Sequence, residues 1–599
     1  MEKTKKRAKI WLCIGLVLML LCGIVVSYVQ TDGGKVEMKE LKIQTDYGYA
    51  MSAYLFIPEN ATTETPAPAV VTSHGYLNNK EMQDANYVEL ARRGFVVLAI
   101  DQPAHGNSDN LVGANNANGV YQGVLALSRM PFVDKERIGV TGHSMGGGSS
   151  DSAVAEDNAA DEQLIAAILI NCNFGTFKDA DGNYANVYGS RDAGILIAMY
   201  DEFGIAMMPD YLQIVEAPDA QSFLNFGADP TTEELEHREA FTVYHDTVDG
   251  EDAMRVIYHP PIIHPWSHFS SRATSYVIDF FSEALDAPNP IDSSNQRWQV
   301  KEAFNLVGAI GMVIFLVCLG ILLVFTPAFS SLRAREIVEP MPVVDGKGKA
   351  WFWGSLIVSA LFATIIYIPV LAWGTSLPVS QTETMGLGIW SALCGIFSIL
   401  SMIVYYYAYG KKNGFNLADR GIKMPIKQLG KSIVLAVIIA VIGYGCVFTV
   451  DYFFMADFRF WTMAIKPFEV DKVWLTLTYM WPFLVYYVAA SVSLNSFNYN
   501  TIGGKKGIGN DVIISLFATF PALILPWIQY ITLYSQGHLM WPSAGMHVLW
   551  LFPIVLILFT ANFTSRYLYK VTKNPYVAGI VNGLIVATMT VTNTCTVFV

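Results

Sequence analysis

Between Leu41 and Ile57 the apolar side chains fall on one parity, with Ile43, Tyr47, Tyr49, Met51, Ala53, Leu55 and Ile57 separated by mostly polar neighbours. A period of two predicts half-buried strands, and Tyr47-Gly48 supplies the turn of an antiparallel hairpin. Short buried runs at Ala69–Ser73, Phe95–Ile100, Arg137–Thr141, Ala193–Met199 and Ala253–Tyr258 predict further strands. Helical spacing covers Glu81–Arg93, Val120–Met130 and Arg272–Ala284. Strands alternating with helices predict a mostly parallel, helix-covered sheet, with the active site at the carboxyl ends of its strands.

The flanking pattern is different. Ile10–Val29 is one unbroken apolar run. After Trp298 eight more follow, at Phe304–Thr326, Trp351–Trp373, Met385–Ala408, Ser432–Met455, Val473–Leu494, Val512–Tyr534, Ala544–Phe563 and Tyr576–Phe598. Each is near the roughly 20 residues needed to cross a bilayer. The expected organisation is an N-terminal transmembrane anchor over residues 1–30, a globular α/β domain over 31–285 and a linker over 286–302. An all-α polytopic membrane domain of about eight transmembrane helices completes the chain over 303–599. Lys3, Lys5, Lys6, Arg7 and Lys9 precede the first run. Its spanning length, and the lack of a small-x-small cleavage site after it, favour an uncleaved anchor over a signal peptide. Alternate later loops carry Arg333, Arg335, Lys347 and Lys349, then six basic residues from Lys411 to Lys431, then Lys505 and Lys506, then Arg566, Lys570 and Lys573. The intervening loops hold only Arg459, Lys466 and Lys472. By the positive-inside rule the N-terminus is cytoplasmic, the protein is multi-pass, and the globular domain is extracytoplasmic.

Charge follows the same division. Thr31–Trp298 holds 39 acidic and 15 basic residues, whereas the remainder holds 12 and 24. The acidity keeps an exported domain soluble and argues against a nucleic-acid partner. Six of the seven cysteines lie in apolar runs, leaving Cys172 alone in the globular part without a disulfide framework. Within the later runs Asp451 and His547 are the notable ionisable residues, too few to indicate an ion-coupled transporter.

The chemistry concentrates at Gly139-Val140-Thr141-Gly142-His143-Ser144-Met145-Gly146, where an apolar strand turns at Gly-x-Ser-x-Gly into a helix. Glycines at 142 and 146 permit a sharp turn that presents the Ser144 hydroxyl, making it the candidate nucleophile. Ser73-His74-Gly75-Tyr76, Asp101-Gln102-Pro103-Ala104-His105-Gly106 and the segment Val133–Gly147 occur in order. With these motifs the domain resembles the α/β-hydrolase superfamily, in the dienelactone-hydrolase and serine-aminopeptidase-like branch. The resemblance implies an oxyanion hole from the amides of Tyr76 and Met145, and a triad running Ser, Asp or Glu, His. Asp201, after the strand Ala193–Met199, is the expected acid, with Glu202 and then Asp179 as alternatives. His268, in the loop leading into the final helix, is the expected base, and His264 is its main competitor. Phe203–Asp252 is long enough to form a cap, and Asp179-Ala180-Asp181-Gly182-Asn183 reads as a turn.

The expected activity is that of a membrane-bound serine hydrolase (esterase, lipase or peptidase-like) cleaving an ester or amide through an acyl-enzyme, without metal or other cofactor. Its partners would be a small-molecule, lipid or cell-envelope substrate and membrane lipid. Two alternatives share these residues: a transporter or exporter with a hydrolase-like binding or gating domain, and an acyltransferase to a cell-envelope acceptor.

Overall fold

In a computed structural model describing residues 1–109, 118–208, 210–343 and 345–597, nine strands form one sheet among the described residues. They are β1 (Val36–Gln44), β2 (Ala50–Pro58), β3 (Ala67–Ser73), β4 (Val96–Ile100), β5 (Val133–His143), β6 (Ile165–Asn171), β7 (Asp192–Leu196), β8 (Tyr244–Val248) and β9 (Glu251–Tyr258). Their order is β1-β2-β4-β3-β5-β6-β7-β9-β8. The six strands from β4 to β9 across the middle are parallel; β2 and β8 run against them, and β1, antiparallel to β2, runs in their sense at the edge. The expected β1–β2 hairpin is present, with Ile43 facing Met51 and a turn closed by Tyr49 bonding back to Thr45.

Strand alternation distributes side chains to two separate cores. Val71, Leu98, Val140, Ile168 and Ile195 pack on one face, with Val120, Val124 and Val154 of the helices α3 (Asn118–Ser128) and α4 (Met145–Asn158). Val70, Val97, Leu169 and Leu196 face the other way, against α2 (Asp84–Arg92) and α7 (Ser271–Ala284) through Val88, Val277 and Phe281. α1 spans Glu2–Gln30, and two short helices, α5 (Glu202–Met207) and α6 (Pro218–Leu224), lie between β7 and β8.

The chain divides into two compact units. One comprises Val25–Lys301 together with Ile531–Gly545 and Asn593–Val599; the other comprises Met1–Ile24, Glu302–Tyr530 and Met546–Thr592. Of residues 286–302, expected as a linker, 286–301 belong to the first unit and are anchored within it. The fully buried Arg93 donates to the carbonyls of Ile291, Asp292 and Asn295, while Glu89 accepts from the amides of Arg297 and Trp298.

The second unit is helical. Its further helices include α8 (Trp298–Leu323), α9 (Gly346–Gly374), α10 (Thr382–Tyr405), α11 (Ile426–Phe454) and α12 (Val470–Val492). They continue with α13 (Ile508–Ala518), α14 (Phe520–Gln536), α15 (Gly545–Leu549), α16 (Leu551–Thr572) and α17 (Pro575–Thr592). Eight helices among the described residues are long and apolar enough to cross a membrane. The expected span Val512–Tyr534 is broken instead: α13 and α14 meet at 50°. Pro521 is the second residue of α14, a position its ring favours but through which an uninterrupted hydrogen-bond ladder cannot run. α17 ends at Thr592, short of the expected Phe598, which lies outside the described residues with Val599.

Candidate active site

β5 ends at His143 and α4 begins at Met145, so one residue makes the whole turn. That residue, Ser144, adopts φ 57° and ψ −116°, a conformation costly for a side chain that is neither glycine nor asparagine. The strain is held by the Ser144 amide donating to the Asn171 carbonyl at 2.7 Å and by Asn173 Nδ2 donating to the Ser144 carbonyl at 2.9 Å. The turn also requires backbones in contact. A Cβ at Gly146 would collide with the Ser73 carbonyl oxygen, and one at Gly142 with that of Gly146.

This close approach brings Ser73-His74-Gly75-Tyr76 beside the nucleophile. A Cβ at Gly75 would lie 3.4 Å from that of Ser144. His74 fixes the turn from within. Its Nδ1 bonds the Gly75 carbonyl at 2.8 Å, and its Nε2 accepts from the Gln102 amide at 3.0 Å, so it is the neutral Nδ1–H tautomer.

β7 and β9 are parallel neighbours, and their pairing continues irregularly beyond their ends. The amides of Met199 and Tyr200 donate to Pro260 and Ile262, and Tyr200 bridges to Ile263. The next residue on each chain, Asp201 and His264, therefore meet. His264 Nδ1 lies 2.5 Å from Asp201 Oδ2, and both side chains are buried. Asp201 Oδ1 accepts from the amides of Phe203 and Gly204 at 2.9 and 3.1 Å, capping α5. Glu202 faces elsewhere, accepting from the His264 amide at 2.9 Å. Burial opposes protonation of His264, but the carboxylates of Asp201 and Glu202 outweigh it and hold the imidazole pKa above its ordinary value.

His268, expected as the base, is not brought to Asp201. It lies a turn further along the short 3-10 helix His264–Phe269, bonds to the Met82 backbone, and stacks on His143 with ring centroids 4.0 Å apart. Its Nε2 is buried without a hydrogen-bond partner, and burial lowers its pKa to about 4. His143 is likewise held neutral by burial; its Nε2 bonds the His264 carbonyl at 3.0 Å and its ring lies 4.7 Å from that of His264. Asp179 is exposed in a tight turn with Asn183, remote in role from either histidine.

His143, Cys172 and His264 each place one donor atom within 4.8 Å of the others, the one such grouping among the described residues. Burial pushes the Cys172 thiol up, whereas a metal ligand must be the thiolate. His264 already spends Nδ1 on Asp201, so the group is better suited to packing than to holding an ion.

The expected cap is partly core: Tyr211, Ile214, Phe223 and Leu224 are buried against the sheet, while Met207, Met208 and Leu212 remain exposed. Two distant segments complete this unit. Tyr534 packs edge-on against Tyr200 at 4.8 Å, a Cβ at Gly545 would lie 3.7 Å from the Phe203 ring, and the Thr596 amide donates to the Ala104 carbonyl at 2.8 Å. No local pattern in residues 531–545 or 593–597 signals these contacts.

Residues 31–159 match the family of FrsA-like esterases. An uncharacterised protein of Pseudomonas aeruginosa, PA2218, is 33% identical over 129 residues, which are 20% of this chain and 34% of that protein. An uncharacterised peptidase of Bacillus subtilis, YuxL, is 28% identical over 131 residues, 20% of each chain. The chain thus spans about a third and a fifth of the lengths of these relatives. Among solved structures, the Pyrococcus furiosus esterase Pf2001 is 17% identical, with 43% of this chain and 96% of that one aligned and a TM-score of 0.29. A Pyrobaculum calidifontis esterase is 16% identical over 47% of this chain and 94% of its own, also at 0.29. From its strand order, its strained serine elbow and the family match over residues 31–159, the globular unit is an α/β-hydrolase domain, related to esterases.

Proposed function

We propose that this protein is a membrane-bound serine esterase whose α/β-hydrolase domain lies on the extracytoplasmic side and works through Ser144, His264 and Asp201. The observation that carries the reading is the buried Asp201–His264 bond, formed at the carboxyl ends of neighbouring strands in the same unit as the Ser144 elbow. With Asp201 accepting from Nδ1–H, the His264 lone pair is left on Nε2, the tautomer a general base needs. Ser144 Oγ attacks the ester carbonyl carbon as its proton passes to Nε2. The tetrahedral oxyanion is stabilised by the Tyr76 and Met145 amides. Collapse expels the alcohol, which takes the proton from Nε2, and leaves Ser144 acylated. Water then attacks the acyl carbon, giving its proton to Nε2; the carboxylic acid departs as Ser144 Oγ recovers that proton. The exposed Met207, Met208 and Leu212 follow directly on the Asp201 turn and favour an apolar acyl group. The apolar helices and the lysine and arginine asymmetry of the loops support membrane residence with the hydrolase domain outside.

Labelling of membranes with a fluorophosphonate probe tests the assignment. The wild type and His268→Leu are expected to label, and Ser144→Ala and His264→Ala to lose labelling. A folded wild-type protein that does not label would overturn it.

A further inference from the structure

The helical unit contains a cavity of about 320 Å³ that the serine chemistry does not use. This is at the lower end of the range of roughly 300–1,000 Å³ typical of small-molecule sites. Along α9 its lining runs from Gly348 to Ala363, a rise of about 22 Å at 1.5 Å per residue. It is therefore long and narrow. At the Ala363 end the walls are apolar and aromatic, with Phe362 stacked on Phe397 at 4.2 Å. At the other end lie Tyr409, Asn413 and Arg420.

Arg420 is the one charged side chain among the described lining residues. Its guanidinium sits 4.9 Å over the Phe415 ring, which stacks in turn on Phe497, and it reaches the Ser496 carbonyl only at 3.5 Å. Among the described residues no carboxylate forms an ion pair with it; the neighbouring Asp419 acts on it only from beyond ion-pair distance. By contrast Arg566, deeper in this unit, is neutralised by Asp511 at 2.5 Å. Asp345 lies beside the rim, but its carboxylate is occupied by the Gly348 amide, as the cap of α9, and by the Tyr409 hydroxyl. A guanidinium positioned on an aromatic stack, with no ion-pair partner in contact, is suited to a carboxylate or phosphate.

The helices are locally remodelled at this end. α10 and α12 both finish in a π-helical turn, Tyr406–Gly410 and Ser493–Phe497, and both turns contribute lining residues. Such turns cost backbone regularity and recur where a helix is adapted to a ligand.

We propose that this cavity binds a single-chain anionic amphiphile, with its hydrocarbon chain between α9, α10 and α12 and its anionic head on Arg420. A narrow volume takes one chain, and one cation selects the head.

The test uses the full chain in nanodiscs of zwitterionic lipid and saturable labelling by a photoreactive long-chain fatty acid. Dodecanoate, dodecyl phosphate, dodecanol and a two-chain phosphatidate serve as competitors. Both single-chain anions are expected to compete at least about tenfold better than the alcohol, a charge-assisted bond being the difference. Arg420→Gln should erase that preference and Arg420→Lys should restore part of it. Ser359→Phe, which fills the channel without touching Arg420, should abolish labelling with the thermal transition retained. Equal competition by alcohol and acid, preference for the two-chain lipid, or absence of saturable labelling would each overturn the proposal.

Discussion

Replacing Asp201 by asparagine isolates the proton bookkeeping of the proposed triad. The carboxylate performs two duties: Oδ2 accepts from His264 Nδ1 at 2.5 Å, and Oδ1 accepts from the Phe203 and Gly204 amides. Asparagine fits the same buried space but has one acceptor atom. Keeping its oxygen on the two amides retains two hydrogen bonds and turns its NH2 toward His264. The imidazole must then accept at Nδ1 and carry its proton on Nε2, where it cannot take one from Ser144. The expected loss in kcat is about ten-thousand-fold, the size the same tautomer change produces in serine proteases. At 1.36 kcal/mol per decade that is roughly 5.5 kcal/mol of transition-state stabilisation. The thermal transition should move little, because the α5 cap survives. The opposite orientation would keep the histidine tautomer and lose the cap, at about 1 kcal/mol, giving an active but less stable protein. Hydrolysis of a p-nitrophenyl ester by the full chain, measured beside its melting temperature, separates the outcomes. An asparagine variant with kcat within about tenfold of wild type and an unchanged melting temperature would refute the reasoning.

Five further consequences follow from the structure. Because the carboxylates raise the His264 pKa, activity should rise with pH through a midpoint above 6.5, and Glu202→Gln should move that limb to lower pH in kcat/KM profiles. The linked stability has the opposite trend: His264 contributes fully below 6.5 and its contribution fades as pH rises through the raised value, whereas His268, depressed to about 4, removes stability as pH falls from 6.5 toward 4. Melting curves of His268→Leu should accordingly show a flatter acid side. Glu89→Ala strands the fully buried Arg93 and releases the Arg297 and Trp298 amides, and should cost about 3–5 kcal/mol in denaturant titrations. Gly146→Ala forces a Cβ onto the Ser73 carbonyl and should cost about 3 kcal/mol or abolish folding. Tyr534→Ala removes an edge-on ring contact behind Asp201, worth about 0.5–1.5 kcal/mol, and should lower kcat/KM by roughly two- to tenfold; an unchanged value would show that Tyr200 does not need it.

Much of the hydrolase domain is written locally. The alternation through Leu41–Ile57 specified a hairpin because β1 is half exposed, although its partner β2 is buried on both faces, and the elbow was visible because only glycine tolerates the backbone approach at 142 and 146. Strand β6, Ile165–Asn171, lacked flanking turn signals distinctive enough to stand out, although six of its seven residues are buried. The base of the candidate triad depended on something sequence spacing does not record. The loop His264–Phe269 offers two histidines four residues apart, and its position before the final helix favours the later one. The choice is made instead by register: Tyr200 pairs with Ile263, so 201 and 264 are adjacent, and His268 turns back toward Met82 and His143.

The same distinction separates what charge and hydropathy reveal in the helical part from what they leave hidden. Apolar runs mark where helices lie, since spanning length alone selects them. They carry no information on a break such as Ala518–Phe520, where Pro521 interrupts the ladder while hydropathy continues unchanged. Nor do they show that Ile531–Gly545, bounded by apolar helices, joins the hydrolase unit, because a contact such as Tyr534 with Tyr200 spans more than 300 residues. Local pattern thus specifies the elements, and the two features on which chemistry depends, the Asp201–His264 pair and the packing behind it, arise from pairings between distant segments.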